Sequence, residues 1–454
     1  MCGMKITFCG GIGGVTGANY LLEAEENGKE VKILIDCGLH QGGAFSEKQN
    51  WDPFLYNPKE ISAVFVTHAH VDHTGLLPKL IKEGFTGKVY STPPTKDFAN
   101  LLLLDSEHIL LQEAEWRKKP ALYNVRDLEE LATYWEGVPY HQEIKVGPFK
   151  AVFYNAAHIL GSSCVLIEAE GKRILFSGDL GNSPAPIIGK TETFEEIDYC
   201  VIESTYGDRL HKRSLDGIVE DVIEDTIKSG GTLMIPAFAM ERTQKLLFEI
   251  NELVENGRVS KIPVFLDSPL AIKMTAIYKK YQDYFDEETK NILKGDDLIF
   301  DFPGLRKTLN AEESKSINNI SPPKIIIAGS GMSQGGRILY HEKRYLPDPK
   351  SAILFVGYQS KNSLGKKIEE GMKIVKIHGE EVPVRCKIVI SDEYSAHADQ
   401  GQLLEWLWPM RLNLKKVFVV QGDEGASGAL KQKIVNDLAI HAEIPEIGKA
   451  YLLT

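Results

Sequence analysis

Short apolar runs separated by glycines and charged turns make up most of the first seventy residues. The runs are Lys5–Cys9, Asn19–Ala24, Val31–Ile35 and Ile61–Thr67. Runs of this length that are rich in β-branched residues are typical of strands. From residue 75 the apolar positions recur at helical spacing, which predicts helices over Gly75–Lys82 and over residues 95–118.

The pattern changes twice further along the chain. Residues 148–205 again read as strands, whereas from about residue 209 helices alternate with short apolar strands, beginning with a helix over Ser214–Ser229 and a strand over Thr232–Ile235. Such alternation predicts a βαβ module with a parallel sheet. A strand, the helix Gln400–Leu407, another strand and a final helix end the chain. We therefore expect three segments, 1–208, 209–390 and 391–454, with the middle one forming its own domain.

Composition narrows the class of protein. The chain has 454 residues, 43% of them hydrophobic and 25% charged, which is ordinary for a globular protein of two domains. A formal net charge of −11 argues against indiscriminate binding of polyanions. The six cysteines show no CxxC spacing, and no uncharged apolar run reaches the roughly 18 residues of a membrane span. These features predict a cytoplasmic protein with reduced thiols and no membrane partner.

One segment concentrates metal-binding side chains. It reads Thr67-His68-Ala69-His70-Val71-Asp72-His73 and directly follows a predicted strand. Residues at i and i+2 of an extended chain project to one side, so His68 and His70 share a face, and the following turn brings Asp72 and His73 close by. Imidazole and carboxylate groups are ligands that suit zinc. We favour a metal site over the alternative of four exposed polar residues on a loop.

Three more candidates stand at the ends of predicted strands, namely His158, Asp179 and Asp36. A single histidine or aspartate in such a place is more often structural. Together with the histidine-rich segment they form a coherent ligand set, because a zinc site needs ligands from several places in the chain.

A second motif near the N-terminus favours another chemistry at first sight. The glycine-rich segment Gly10–Gly17 follows a strand, and Asp36 lies roughly 20 residues on, as in dinucleotide-binding folds. The spacing is not a clean GxGxxG, and the segment from Thr16 to Leu22 is too short and too β-prone for a helix. We therefore predict a strand, a turn and a second strand here.

The motifs together resemble a known family. His-x-His-x-Asp-His, a later His and Ser-Gly-Asp resemble the metallo-β-lactamase superfamily, in that order. Glu203-Ser-Thr-Tyr-Gly-Asp, His378-Gly and Ser395-Ala-His397-Ala-Asp resemble three motifs of its β-CASP ribonucleases. The resemblance implies an α/β fold, an αββα metallo-β-lactamase sandwich with an inserted β-CASP α/β domain. One departure is Gln421-Gly-Asp, where many relatives have His-Gly-Glu; we expect this position to lie outside the ligand set and to leave the chemistry unchanged.

The resemblance also implies a centre of two zinc ions per chain. The residues implied to hold the first zinc are His68, His70 and His158. Those implied to hold the second are Asp72, His73 and His397. Asp179 is implied to bridge the two, and Asp36 to orient a ligand histidine through a hydrogen bond.

The implied activity is hydrolysis of phosphodiester bonds in single-stranded RNA. A hydroxide activated by both metals, with Asp72 in the catalytic set, is implied to attack phosphorus. His378 is implied to be the general acid, with Glu203 paired to it, and the alternative is a surface histidine before a glycine turn. Phosphate contacts are expected from Ser330, Gly331, Gly335 and Arg337, although a packed structural role for Arg337 stays open.

Several alternatives remain at this stage. An endonuclease in RNA processing or decay is the preferred function, but a 5′-exoribonuclease would use the same site. A metallo-hydrolase of small esters or thioesters, and a non-catalytic RNA-binding subunit, are further alternatives. The large middle segment argues against the small-molecule hydrolase, and the complete ligand set argues against loss of catalysis. A homodimer is compatible with the sequence.

Overall fold

The chain is divided between two structural units. The computed structural model describes residues 3–42, 47–211, 217–295, 299–391 and 394–454. The first unit comprises Met1–Leu210 and His397–Thr454, and the second comprises His211–Ala396. The second unit is thus inserted into the sequence of the first.

Strands are distributed over both units. They are β1 (Lys5–Phe8), β2 (Tyr20–Glu26), β3 (Lys29–Ile35), β4 (Ile61–Phe65), β5 (Lys88–Ser91), β6 (Trp135–Gly137), β7 (Ile144–Val146), β8 (Phe149–Asn155), β9 (Ser163–Ala169), β10 (Lys172–Phe176), β11 (Tyr199–Glu203), β12 (Thr232–Pro236), β13 (Val264–Leu266), β14 (Leu305–Lys307), β15 (Lys324–Ala328), β16 (Ala352–Phe355), β17 (Ile374–Ile377), β18 (Glu380–Pro383), β19 (Lys387–Ile390), β20 (Lys416–Val420), β21 (Ala442–Glu443) and β22 (Ala450–Leu452).

Helices of very different length connect these strands. They are α1 (Val71–Thr74), α2 (Leu77–Lys82), α3 (Pro93–Arg117), α4 (Val125–Tyr134), α5 (Ile218–Ser229), α6 (Arg242–Glu255), α7 (Pro269–Lys280), α8 (Glu287–Gly295), α9 (Ala311–Ser316), α10 (Ile338–Tyr345), α11 (Leu364–Glu369), α12 (Gln400–Leu407) and α13 (Glu424–Leu438). Of the helix predicted over Ser214–Ser229, residues 214–216 lie outside the described part of the chain. In that part, none of the helices combines the length and the apolar character that crossing a membrane requires.

The first unit is a sandwich of two seven-stranded sheets. Their orders are β22-β1-β2-β3-β4-β5-β6 and β21-β20-β11-β10-β9-β8-β7. A single core fills the space between them: the rings of Phe8 and Phe418 lie 5.1 Å apart, and those of Phe65 and Phe153 lie 6.3 Å apart. Each pair joins one sheet to the other. Burial of these alternating apolar positions is the main stabilising contribution to the unit.

Helices cover the outer faces of both sheets. On the second sheet, Leu403 of α12 and Leu430 of α13 pack into a cluster with Leu166 and Val417. On the first sheet, α3 contacts β6 and buries Phe98. The layers therefore run helix, sheet, sheet, helix, which is the αββα arrangement expected from the sequence.

The glycine-rich N-terminal segment connects two antiparallel strands. Lys5 of β1 pairs with Glu23 of β2, and the register continues to Phe8 and Tyr20. The predicted strand–turn–strand arrangement is confirmed. A dinucleotide-binding unit would need a helix after β1 instead.

The second unit contains a parallel sheet of six strands. Its order is β14-β13-β15-β12-β16-β19, and every neighbouring pair is parallel. The βαβ rhythm predicted from the sequence is thus confirmed. A small hairpin, β17 with β18, stands apart, and its two-residue turn is His378–Gly379, with φ values of 50° and 82°. Two positive φ angles are what a tight hairpin turn of the I′ type requires.

Candidate metal centre

The predicted ligands of the first unit sit at the carboxyl ends of its strands. His68 follows β4, His158 follows β8 and Asp179 follows β10, each within three residues of the strand end. His70 immediately precedes helix α1, which carries Asp72 and His73. Because strand ends are held rigidly by the sheets, these side chains converge without long flexible segments.

Four of the side chains form a tight, largely buried cluster. The ligand atoms of His68, His70, His158 and Asp179 all lie within 4.8 Å of one another. Nε2 of His68 is 3.0 Å from Nδ1 of His70 and 3.4 Å from Oδ2 of Asp179. Nε2 of His158 lies 3.3 Å from Nδ1 of His70. Three imidazole nitrogens and one carboxylate oxygen converging in this way fit a zinc ion, which prefers four such ligands.

A second group of acidic and basic side chains adjoins the first. Nε2 of His73 lies 3.3 Å from Oδ1 of Asp179 and 4.0 Å from Oδ2 of Asp72. Nδ1 of His397 is 3.9 Å from Oδ2 of Asp179. Burial raises the pKa of Asp72 to about 6. Oδ1 of Asp179 thus faces His73, whereas Oδ2 faces His68 and, at 3.9 Å, also His397.

Asp36 and Thr67 contact the Nδ1 atoms of two predicted ligand histidines. Oδ2 of Asp36 is 2.7 Å from Nδ1 of His73, and both the amide and the hydroxyl of Thr67 donate to the Asp36 carboxylate at 2.8 Å. Oγ1 of Thr67 also lies 3.1 Å from Nδ1 of His68. These contacts hold the imidazole rings so that their Nε2 atoms face the cluster. Sequence reasoning missed Thr67, although it begins the histidine-rich segment.

Glu203 is fully buried beside His397. Its Oε1 accepts a hydrogen bond from the amide of Leu180 at 2.6 Å and lies 3.3 Å from Nδ1 of His397. Burial favours the neutral imidazole, but the Glu203 carboxylate outweighs it and raises the pKa of His397 to about 9. In the second unit, the exposed ring of His378 lies 4.7 Å from that of Tyr340. The pairing of Glu203 with His378 stays a prediction.

Gln421 lies among the predicted ligands. Its Nε2 is 2.7 Å from Nε2 of His73 and 3.2 Å from Oδ1 of Asp179, and the hydroxyl of Tyr20 donates to its Oε1 at 3.2 Å. The sequence predicts this position outside the ligand set, yet its amide contacts two of the predicted ligands; its part in metal binding stays a prediction. Gln421 follows β20, which pairs in parallel with β11, so it comes to the same sheet edge as Glu203.

The acceptor role of His73 follows from that amide contact. Asp179 and Asp36 raise the pKa of His73 above its ordinary value, although burial opposes them. A ring protonated on both nitrogens cannot accept a hydrogen bond from the amide of Gln421. The flanking carboxylates thus favour the protonated ring, whereas the amide contact, with 2.7 Å between the two nitrogen atoms, needs an unprotonated Nε2 and a proton on Nδ1 toward Asp36.

In the second unit, Arg337 is bound within the protein. Its guanidinium donates to Oδ1 of Asp267 at 2.7 Å and to the carbonyls of Thr308 and Leu309 at 3.0 and 2.9 Å. Asp267 is completely buried and also lies 2.7 Å from Nε2 of His341. Burial opposes ionisation, but these hydrogen bonds lower the pKa of Asp267. The contacts correspond to the packed role left open by the sequence.

In the loop that precedes Arg337, polar groups hydrogen-bond to one another. Oγ of Ser330 accepts hydrogen bonds from the amides of Gln334 and Gly335 at 3.1 and 3.2 Å, and the amide of Ser330 donates to the Gly335 carbonyl at 3.0 Å. Two of the backbone donors expected to meet phosphate are therefore used inside the loop. The phosphate contacts expected of Ser330, Gly331, Gly335 and Arg337 stay predictions.

The αββα sandwich and its buried histidine–aspartate cluster define a metal-dependent hydrolase. Comparison with family models supports this class for most of the chain. The model of the metallo-beta-lactamase superfamily matches residues 12–224, that of the Beta-Casp domain matches 243–368, and that of the Zn-dependent metallo-hydrolase RNA specificity domain matches 381–445. The chain belongs to the β-CASP ribonuclease family of the metallo-β-lactamase superfamily.

Curated relatives match over nearly the full chain. Ribonuclease TTHA0252 of Thermus thermophilus is 36% identical over 93% of this chain and 94% of its own length. An RNase J-like protein of Methanocaldococcus jannaschii is 32% identical over 92% and 93%. Transcription termination factor FttA of Methanosarcina mazei is 30% identical over 96% of this chain and 70% of its own.

Among solved structures, the fold is similar to that of a protein of unknown function from Enterococcus faecalis V583. The match has a TM-score of 0.58 at 12% identity and covers 99% of this chain and 100% of the other. A likeness at this identity concerns the fold alone.

Proposed function

We propose that this protein is a zinc-dependent endoribonuclease that hydrolyses internal phosphodiester bonds of single-stranded RNA. The observation that carries the proposal is the cluster of His68, His70, His158 and Asp179, whose ligand atoms lie within 4.8 Å of one another. Relatives named as ribonucleases, and the match to an RNA specificity domain over residues 381–445, support RNA as the substrate.

The proposed centre holds two zinc ions per chain. His68, His70 and His158 would bind the first, Asp72 and His73 the second, and Asp179 would bridge them, as its two oxygens face the two groups. When bound, the ions supply a nucleophilic water at neutral pH and offset the phosphate charge. The chain itself orients the ligands through Asp36 and Thr67.

The leaving oxygen needs a proton, and two histidines are candidates to deliver it. His378 is the candidate from the sequence motif. His397 is favoured by a contact, because Glu203 lies 3.3 Å from its Nδ1 and would hold that nitrogen in its protonated form. With Nδ1 held toward Glu203, Nε2 of His397 could either carry the proton for the leaving oxygen or bind the second zinc, but not both.

Metal analysis separates these roles. At saturating zinc, a proton-donating His397 predicts that His397→Ala cleaves RNA orders of magnitude more slowly and still binds two zinc ions. A ligand role predicts a loss of one zinc ion together with activity. The matched variant His378→Ala, also assayed for metal and cleavage, shows whether the exposed hairpin histidine takes part in the chemistry.

The function is tested with one single-stranded RNA in two forms, carrying a 5′-monophosphate or a 5′-triphosphate. The zinc-loaded protein should release internal fragments from both forms, and Asp179→Ala should release none. Mononucleotides from the monophosphorylated RNA alone would replace the endonuclease with a 5′-exonuclease. Cleavage of a thioester or lactone, with both RNAs left intact, would overturn the proposal.

A further inference from the structure

The amide of Gln421 contacts the atoms that a second metal ion would bind. Its side chain is buried, and its Nε2 lies 2.7 Å from Nε2 of His73 and 3.2 Å from Oδ1 of Asp179. The hydroxyl of Tyr20 holds the other end of the amide at 3.2 Å. All three partners are in the first unit, and each contact is within hydrogen-bonding distance.

An amide nitrogen only donates hydrogen bonds, so both of its partners must act as acceptors. Nδ1 of His73 faces the Asp36 carboxylate at 2.7 Å, so Nε2 is the ring nitrogen that faces the Gln421 amide. The electron pairs that receive the two N–H groups are the pairs that a metal would need. The amide and the second metal therefore compete for the same atoms.

The two metal positions of the proposed centre therefore differ in the ligand atoms that are available to a zinc ion. The first offers three imidazole nitrogens and Oδ2 of Asp179, which is a complete set for zinc. At the second position, two of the ligand atoms, Nε2 of His73 and Oδ1 of Asp179, face the Gln421 amide. A further candidate ligand atom, Oδ2 of Asp72, is 4.0 Å from Nε2 of His73. A neutral amide is also a weaker zinc ligand than an imidazole.

We propose that Gln421 makes the centre asymmetric, so that one zinc ion binds tightly and the second binds weakly and exchanges. The inference rests on the proposed two-zinc centre. It assigns Gln421 as a positioning residue that sets how readily the second ion enters.

Zinc binding to metal-free protein tests the inference directly. Competition with a chromophoric chelator, together with elemental analysis after dialysis, should give one tight and one weak zinc site in the natural chain. Gln421→His supplies an imidazole and removes the amide donor, so the second affinity should rise about 10- to 100-fold. The matched control Gln432→His, on helix α13 where Gln432 pairs with Asn436, should leave both affinities unchanged.

A milder variant covers the case in which Gln421→His fails to fold. Tyr20→Phe removes only the hydroxyl that holds Oε1 of Gln421, and should raise the second affinity by a smaller factor. Two tight sites of equal affinity in the natural chain would overturn the inference. Equal second-site affinities in the natural chain and in both folded variants would also overturn it.

The outcome does not depend on RNA cleavage. Asymmetric zinc binding without cleavage of any RNA would refute the proposed substrate and keep the role of Gln421. Cleavage of RNA with two equally tight zinc sites would keep the function and refute that role. Failure to bind zinc at all would refute both.

Discussion

At the scale of single residues, Asp179 contacts members of both groups in the candidate metal centre. One carboxylate oxygen faces His68, and the other faces His73 and Gln421. Burial opposes its ionisation, but the neighbouring histidines lower the pKa of Asp179 well below its ordinary value. A carboxylate held ionised in a buried position is suited to a multivalent cation.

The Asp36→Asn variant tests how much the orientation of His73 contributes to zinc binding. In Asp36→Asn one oxygen becomes an N–H donor, which cannot accept from both Nδ1 of His73 and the hydroxyl of Thr67. We expect the zinc affinity of the His73 position to fall about 10- to 100-fold, as for other residues that support ligands. Titration with zinc measures this. Asp437→Asn, at an exposed ion pair with Lys433, is the control, and an unchanged affinity in Asp36→Asn would contradict the supporting role.

The buried carboxyl group of Glu342 leads to a separate prediction of how the stability of the protein depends on pH. Burial raises its pKa to about 8, and among the described atoms its Oε2 has no hydrogen-bond partner, which suits the protonated carboxyl. Between the ordinary carboxyl value and pH 8 the folded state keeps a proton that the unfolded chain loses. Stability therefore falls as pH rises through this window.

The Glu342→Gln variant removes that dependence. It keeps a hydrogen-bonding group toward Ser333 and needs no proton. We expect a gain in unfolding free energy of roughly 2–4 kcal/mol at pH 9 and little change at pH 4. Urea unfolding at both pH values measures it, with the exposed Glu312→Gln as control. Equal unfolding free energies of Glu342→Gln and the natural protein at pH 9 would contradict a buried, protonated Glu342.

At the scale of elements, close backbone contacts place the short helix α1 that carries Asp72 and His73. The amide of Cys37 donates to the carbonyl of His73 at 2.8 Å, and the amide of Ala18 to that of Asp72 at 2.9 Å. A Cβ atom on Gly38 would lie 1.5 Å from the Asp72 carbonyl oxygen. Glycine at this position is therefore needed for helix α1 to approach the loop after β3.

Gly38→Ala should accordingly damage both folding and metal binding. We expect a loss of roughly 2–4 kcal/mol in unfolding free energy, since backbone rather than a flexible side chain must move. Chemical denaturation and zinc content measure the two effects. Gly14→Ala, where an added Cβ meets nothing within 4 Å, should behave like the natural protein. A fully stable Gly38→Ala would refute the close approach.

The loop that precedes helix α10 depends on Arg337. Removing its guanidinium in Arg337→Ala leaves buried Asp267 without one of its hydrogen bonds and frees two carbonyls. We expect a loss of roughly 1–3 kcal/mol, whereas Arg344→Ala, exposed on the same helix, should cost little. Arg337→Lys should recover only part, because an ammonium does not reproduce the planar fork. A stable Arg337→Ala with weakened RNA binding would favour the phosphate role instead.

Elements with a strong local sequence pattern are predictable from the sequence, whereas elements with a weak pattern are not. Strands β1 to β4 and helix α3 follow from runs and periodicity in the sequence. The predicted ligands His68, His70 and His158, which the structure brings together, follow from a dense motif and from strand ends. In the sequence the turn at His378–Gly379 shows only as a His-Gly pair, because residue type alone does not determine the sign of φ. The hairpin it joins is short, so its periodicity is weak.

At the scale of the whole molecule, the two parts of the first unit are separated by the inserted second unit. Residues from both parts meet in the metal centre: His397 and Gln421 come from the C-terminal part, and Glu203 and Asp179 from the N-terminal part. Pairing of β20 with β11 brings them together. Sequence spacing carries no sign of this pairing and therefore does not reveal that Gln421 lies beside the predicted ligands.

The central claim is that this buried cluster binds the metal on which RNA cleavage depends. The most direct measurement is single-turnover cleavage of one labelled single-stranded RNA by metal-free protein during titration with zinc, run in parallel with His158→Ala. Cleavage should begin only as zinc is added, and should be absent from the folded variant at the same zinc concentration. Cleavage by the metal-free protein in excess chelator, or undiminished cleavage by His158→Ala, would contradict the account.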